Sequence, residues 1–290
     1  MKIFVCENNE IEKNSIDTIA IGVFDGVHKG HLELFKHLGG NGAVIIIDSE
    51  QKDSLTPFKK KCNLIRHPIF FYKLQDIKNL HGKEFIELLQ EEFTALKKIV
   101  VGYDFYFGKN RKNGVKDLEL FFDGEVKIVD EFMISKQSVH ATLIKSLLSE
   151  GKIAGANRYL GRTYSIEGFV VKGQGLGKKS LYPTINVENQ DGYFLPKNGV
   201  YATLFFTKND IYKAATFIGN RVSSDGDFAI ESYLLDVKNI DISLNDSVEI
   251  FFVEFIRENE KFNDLKKLKE QIENDILEIE DRLKFFKCKG

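Results

Sequence analysis

The amino-acid sequence predicts two domains of different class: an α/β domain with a doubly wound parallel sheet, then a small antiparallel β-barrel with a long terminal helix. Three observations carry this. In the first half, short continuous apolar runs alternate with helical patterns, as buried parallel strands joined by crossover helices do. From about residue 164 the pattern changes to successive β-prone segments separated by glycine or polar turns. Beyond about residue 263 runs one long amphipathic stretch.

Taken in order, residues 19–24 are apolar and β-prone and suit a buried strand. Residues 43–48 (AVIIID), 98–102 (KIVVG) and 126–129 extend the series of strands, and residues 83–93 and 142–149 read as helices. In a doubly wound sheet the ligand belongs at the carboxyl ends of the strands. In the second half, residues 165–172, 199–207, 211–218, 228–236 and 247–256 read as strands. Leu265, Leu268, Ile272, Ile276, Ile279 and Leu283 form the apolar stripe of the terminal helix. Docking against the barrel accounts for that stripe, with a dimeric coiled coil as the alternative. The expected division is 1–156 and 157–290, near the stretch 155–161.

Composition narrows the function classes. The chain of 290 residues is 43% hydrophobic and carries a net charge of −2, so no global basic field draws it to nucleic acid or to a membrane surface. Cys6, Cys62 and Cys288 lie far apart and form no metal-ligand or redox spacing. No apolar leader is visible, and no stretch approaches the roughly 18 apolar residues of a spanning helix. The expected location is the cytoplasm, with no obligatory protein partner evident.

Two stretches carry chemistry. In Gly22-VFDGVHKGH-Leu32, Gly22 and Gly26 allow tight turns, and helical periodicity begins near Lys29. His28 and His31 are spaced i and i+3 on one face of the first helical turn. The N–H groups and dipole of that turn suit phosphate, and Gly30 removes a side chain where phosphate would approach. A helix cap with two surface histidines is the plainer reading. The second stretch, Val171-KGQGLGKKSLYPTIN-Val187, joins a glycine-rich loop to a Pro-Thr-x-Asn element. Gly173, Gly175 and Gly177 suit a backbone folding over phosphates, and Lys178 adds positive charge. Thr184 and Asn186 offer hard oxygens for Mg²⁺ carried with a phosphate ligand. A flexible turn between strands has the same glycine pattern.

G-x-F-D-G-x-H-x-G-H resembles the signature of HxGH nucleotidyltransferases, and more narrowly the N-terminal half of bacterial bifunctional riboflavin kinase/FAD synthetases. The PTIN segment, Gly199-Val-Tyr201, Gly219-Asn-Arg221, the run IESYLLD and the stretch FIRENEKF follow in the order of the riboflavin kinase half. The resemblance implies a Rossmann-like nucleotidyltransferase domain followed by a kinase barrel, making FMN from riboflavin and then FAD from FMN, with ATP and Mg²⁺ in both steps. It implies that His28 and His31 hold ATP phosphates, with Gly22, Phe24, Asp25, Gly26, Thr142 and Lys145 in the same ATP site. It further implies that Thr184 and Asn186 bind the metal with ATP, that Gly173, Gly175, Gly177 and Lys178 cover its phosphates, and that Glu231 is the catalytic base. Arg257 and the loop containing Asp104, Phe105 and Phe107 are assigned to the flavin.

On its own, Glu231 is a lone carboxylate on a mixed strand face, and such groups are usually solvated. The loop 102–108 (GYDFYFG) reads equally as an aromatic core turn. The chain departs from the family where relatives carry T-F-x-P-H-P, here Ile47-Asp48-Ser49-Glu50-Gln51, and S-S-T-x-I-R, here His140-Ala141-Thr142-Leu143-Ile144-Lys145. Lys178 and Leu181 replace the usual arginine and glycine of the kinase loop. Those departures motivate two alternatives: a monofunctional riboflavin kinase with a degenerate first domain, and a non-enzymatic flavin-nucleotide sensor.

Overall fold

Ile19 and Ile21 point to one face of a strand while Ala20 points to the other, and all three are buried. A strand apolar on both faces needs a layer on each side, and the first unit supplies both. The computed structural model describes residues 12–49, 52–173, 182–189, 191–221, 226–237 and 240–288. They fall into two compact units, Met1–Ala141 and Thr142–Gly290.

The first unit runs β1 (Thr18–Gly22), α1 (Lys29–Phe35), β2 (Gly42–Asp48), α2 (Phe58–Leu64), β3 (Ile69–Lys73), α3 (Leu74–Ile77), α4 (Gly82–Glu92), β4 (Lys98–Gly102), α5 (Val115–Phe121) and β5 (Glu125–Val129). A hairpin of β6 (Met133–Ile134) and β7 (Gln137–Ser138) follows. The sheet is parallel throughout, in the order β3-β2-β1-β4-β5. Strand order reverses between β1 and β4, the switch point at which such sheets bind ligands. One core packs Phe85, Ile86 and Leu89 of α4 and Leu118 of α5 against the sheet. The opposite core packs Leu34 and Phe35 of α1 with Leu38, Val44, Ile46 and Phe71.

The second unit begins with α6 (Ala141–Ser149) and α7 (Ile153–Leu160), followed by β8 (Tyr164–Val171), β9 (Ile185–Glu188), β10 (Gly199–Thr207), β11 (Asp210–Asn220), β12 (Phe228–Leu234), β13 (Ser247–Arg257) and α8 (Leu265–Leu283). The six strands close into a barrel in the order β10-β11-β12-β9-β8-β13, with β13 returning to β10. Its interior is not purely apolar. Thr203, Thr216 and Ser232 are all 0% exposed, and their hydroxyls form a ladder across three strands at 2.7 and 2.9 Å. Each of these three hydroxyls has a partner, so the ladder carries no desolvation penalty from an unpaired group.

The α/β class, the barrel and the terminal helix match the sequence reading. The first strand ends at Gly22 rather than Phe24, because Phe24 takes φ 51° and leaves the extended conformation. Strands β3 and β9, the β6–β7 hairpin and helices α2, α3, α5 and α7 were not part of the sequence expectation. Helix α2 (FKKKCNL) has no clean apolar stripe and forms in tertiary context, with Lys60 and Lys61 buried. The expected boundary at 156/157 falls inside α7, whereas the compact division lies between Ala141 and Thr142, at the start of α6. The reason is local: Asn157 donates to Phe252 O at 3.0 Å and accepts from Tyr164 N at 2.7 Å, tying α7 to the barrel.

Helix α8 docks on the barrel. Ile279 and Leu283 are fully buried against Val200, Ala202 and Leu235, whereas Leu265 at the start of the stripe is exposed. Ile279→Ala removes a side chain with 0% exposure and should cost about 2–5 kcal/mol. Chemical denaturation of the full chain checks this, with a shifted midpoint for the barrel transition as the expected result.

Candidate active sites

Strand β1 delivers the HKGH turn at its carboxyl end, and the neighbouring β4 delivers the loop that begins at Tyr103. Both motifs therefore sit at the switch-point edge of the sheet. His28 is the N-cap of α1, and its Nδ1 accepts from His31 N at 3.3 Å. The two imidazoles stack with centroids 3.5 Å apart and planes 21° from parallel. Gly30 lies against this stack: an added Cβ would come 3.2 Å from the His28 ring, which would have to give by a few tenths of an ångström. His28 is buried at 5% exposure, so the pair is not the two surface histidines of the plainer reading.

The other residues expected at ATP here support the turn. A Cβ at Gly22 would lie 3.0 Å from the Phe24 ring, so that glycine makes room for it. Phe24 is buried and meets His31 and Phe35 edge-on, each at 5.1 Å. The Asp25 carboxylate accepts from Ser54 Oγ at 2.7 Å and Thr56 N at 3.2 Å. Gly26 N donates to Thr56 Oγ1 at 2.8 Å. Ser54 and Thr56 carried no signal in the sequence beyond two hydroxyl residues in a connection.

In the aromatic loop, Phe107 is a core residue packed against Phe85, Phe105 and Phe121, which corrects its expected place at the flavin. Asp104 is exposed and Phe105 half-buried. The exposed rings are Tyr103 and Tyr106, with the Arg111 guanidinium 5.7 Å from the Tyr106 centroid. Tyr103 donates to Glu131 Oε1 at 3.2 Å. Desolvation, then the bond to Glu131, raises its pKa above the ordinary phenol value, so it stays a neutral donor. Thr142 is exposed on α6, in the second unit; one turn on, Lys145 Nζ lies 5.6 Å over the Phe194 ring.

In the barrel, register does what spacing cannot. Asn186 on β9 pairs directly with Glu231 on β12, and Glu231 pairs on its other side with Phe217. Ile230, Ser232 and Leu234 face the interior, so Glu231 lies on the outer surface of the sheet beside Asn186. Arg221, just past β11, donates from NH1 to Glu231 Oε1 at 3.3 Å. Gly173 abuts the Asn186 amide, where a Cβ would come within 2.2 Å of Nδ2. Thr184 precedes β9 and is exposed. Gly175, Gly177 and Lys178 lie outside the described residues. Arg221 belongs to the Gly219-Asn-Arg221 motif, a signal present in the sequence but not read as part of the site. Arg257 is committed elsewhere than the expected flavin contact: its guanidinium makes three bonds of 2.8–3.0 Å to the buried Asp275 of α8. A cleft of about 510 Å³ lined by Ser149, Leu195, Lys197, Asn198, Glu258 and Asn259 contains none of the expected site residues.

Two ATP-suited motif sets on two separately packed units define a two-domain nucleotide-dependent transferase. A model of FAD synthetase matches residues 43–143, beginning past the HKGH turn, and a model of riboflavin kinase matches residues 160–283. The chain is 31% identical to the bifunctional riboflavin kinase/FMN adenylyltransferase of Buchnera aphidicola subsp. Acyrthosiphon pisum, covering 97% of each chain. It is 28% identical to the Listeria monocytogenes protein of the same description, covering 89% of each. A solved Streptococcus pneumoniae structure described as a macrolide-efflux protein superposes with TM-score 0.79 at 26% identity, over 92% of this chain and 94% of that one. Among the described residues no helix is long and apolar enough to cross a membrane. The chain belongs to the bifunctional riboflavin kinase/FMN adenylyltransferase family.

The contact at Gly173 generates a prediction. Gly173→Ala should displace the flexible Asn186 side chain rather than the backbone, lowering riboflavin phosphorylation at least about tenfold by moving the side chain next to Glu231. Steady-state FMN production, with a melting curve unchanged from the parent protein, is the check.

Proposed function

We propose that the two activities are divided between the two halves of the chain. Residues 157–290 phosphorylate riboflavin with ATP, giving FMN and ADP. Residues 1–156 transfer AMP from a second ATP to FMN, giving FAD and diphosphate. The observation that supports the kinase half is the cross-strand pairing of Asn186 with Glu231, which sets an amide residue next to a carboxylate residue on one face of the sheet. Both family models and the full-length bifunctional relatives favour two activities over a lone kinase or a non-enzymatic sensor.

In the kinase, Glu231 accepts the proton of the ribityl hydroxyl as that oxygen bonds to the γ-phosphorus and the bond to the ADP oxygen breaks. Arg221 orients the carboxylate from 3.3 Å. Thr184 and Asn186 would hold Mg²⁺. They fit it, because this ion keeps much of its shell as water and phosphate and needs few protein ligands. Among the described residues no cluster of three or more His, Cys, Asp or Glu forms a metal site of another kind. When bound with ATP, the ion neutralises phosphate charge.

In the adenylyltransferase, an FMN phosphate oxygen bonds to the α-phosphorus of ATP and diphosphate leaves. His28 and His31 donate to the phosphate oxygens as charge develops on them, and the family resemblance assigns Thr142 and Lys145 to ATP phosphate as well. Lysine there acts as a point charge rather than a planar fork. Tyr103 and Tyr106 offer exposed rings for stacking the flavin or adenine. The substrates and products are riboflavin, FMN, FAD and ATP, in a cytoplasmic enzyme without nucleic acid, membrane or obligatory protein partner.

Two reciprocal substitutions check the division. Glu231→Gln should lower riboflavin phosphorylation by at least about 10²-fold and leave FAD formation from FMN near the parent rate. His28→Ala and His31→Ala should each lower FAD formation by at least about 10²-fold while FMN accumulates from riboflavin. Chromatographic separation of riboflavin, FMN and FAD after turnover reads both.

A further inference from the structure

We infer that Thr56, with Ser54, is a positioning residue for adenylyl transfer: the two hydroxyls clamp, from the connection after β2, the strained turn 24–27 that leads into HKGH. The inference rests on the reading of His28 and His31 as ATP-phosphate ligands. The turn holds three positive φ values in four residues: Phe24 at 51°, Gly26 at 86° and Val27 at 38°. Only Gly26 adopts that region without penalty, and a β-branched residue such as Val27 is strongly disfavoured there. Strain of this kind persists only where the surroundings over-determine it, and it collects at functional sites.

The surroundings here are polar as well as apolar. Thr56 Oγ1 accepts from Gly26 N at 2.8 Å, inside the strained segment itself. Asp25 between Phe24 and Gly26 accepts from Ser54 Oγ at 2.7 Å and from Thr56 N at 3.2 Å. Thr56 N also lies 3.2 Å from Ser54 Oγ, so backbone and side chains of the two segments interlock. Asp25 and Ser54 are each 7% exposed and Thr56 is 1% exposed. In so dry a place these bonds are strong, and losing one leaves a buried group unpaired. Two residues beyond Gly26 stands His28, whose Nδ1 receives the His31 N–H and whose ring stacks on His31. A shift of the turn therefore moves both imidazoles together. The bonds of Ser54 and Thr56 end on Asp25 and Gly26, so they act through the turn.

The test uses the full chain, whose kinase activity reports on an intact protein. Thr56→Val keeps the shape and removes the acceptor. It should lower kcat for FAD formation at least about tenfold, with KM for FMN within about twofold and FMN production unchanged. Thr56→Ser should restore most of kcat. Residual FAD formation, followed at high enzyme concentration in His28→Ala, closes a double-mutant cycle. Adding Thr56→Val to His28→Ala should cost less than about threefold, because the histidine it positions is already gone. If Thr56→Val multiplies its full loss onto His28→Ala, or if Thr56→Ser fails to rescue, the role is general stability and the inference is overturned. If Thr56→Val matches the parent while His28→Ala is impaired, the clamp fails and the phosphate reading stands. If His28→Ala itself matches the parent, the phosphate reading fails. Should Thr56→Val melt the first unit, Ser54→Ala decides by the same cycle, since it leaves the bond from Gly26 N in place.

Discussion

Closure of the barrel depends on a strand of four residues. β9 (Ile185–Glu188) pairs with β8 on one side and β12 on the other, and without it the sheet would have two open edges. An open edge leaves a row of backbone donors and acceptors unpaired. The same two pairings set Asn186 between Val171 and Glu231 on the outer surface. One short ladder therefore both completes the hydrogen bonding of the fold and sets Asn186 beside Glu231. A slip of one residue would turn Asn186 inward and Val187 outward, taking Asn186 off the face of Glu231 and exposing a core side chain.

The first unit meets a different constraint. In a parallel sheet every strand ends at the same edge, so the connections after β1, β2, β4 and β5 are neighbours whatever their sequences. That is why Thr56, after β2, reaches Gly26, after β1. Strong twisting of the β1 connection brings two histidines into a stack, at the cost of backbone conformations that Phe24 and Val27 would not adopt in a free chain. Burial of both side chains in the core beside α1 offsets part of that cost.

Arg257 shows how one residue type is used for packing where function was expected. Its guanidinium and the Asp275 carboxylate are both largely removed from water, and Gln271 adds a further bond to that carboxylate. A buried pair of this kind is worth little against an apolar substitute, yet removal of one partner strands the other. It therefore fixes where α8 lies on β13 more than how tightly it is held. Ile279 and Leu283 supply the apolar contact that holds it.

Much of this protein was legible in its sequence. Apolar runs of two periods separated the α/β and barrel classes, because strands and helices bury different spacings. Glycine, histidine and Pro-Thr-x-Asn motifs marked the segments proposed to bind nucleotide, since local backbone freedom and ligand atoms are properties of single residues. The terminal helix was visible from its stripe, and its docking on the barrel rather than in a coiled coil follows from the buried Ile279 and Leu283. Only tertiary structure decided which groups meet. Glu231 was one solvated-looking carboxylate until strand register set it beside Asn186 and Arg221. Phe107 and Arg257 were read as ligand residues, but an aromatic ring serves a core and a guanidinium serves a buried aspartate equally well. Ser54 and Thr56 were silent because a hydroxyl acquires a role only from its partner. Pairing between distant segments is set by strand order, register and packing, none of which is encoded in the spacing along a single stretch of chain.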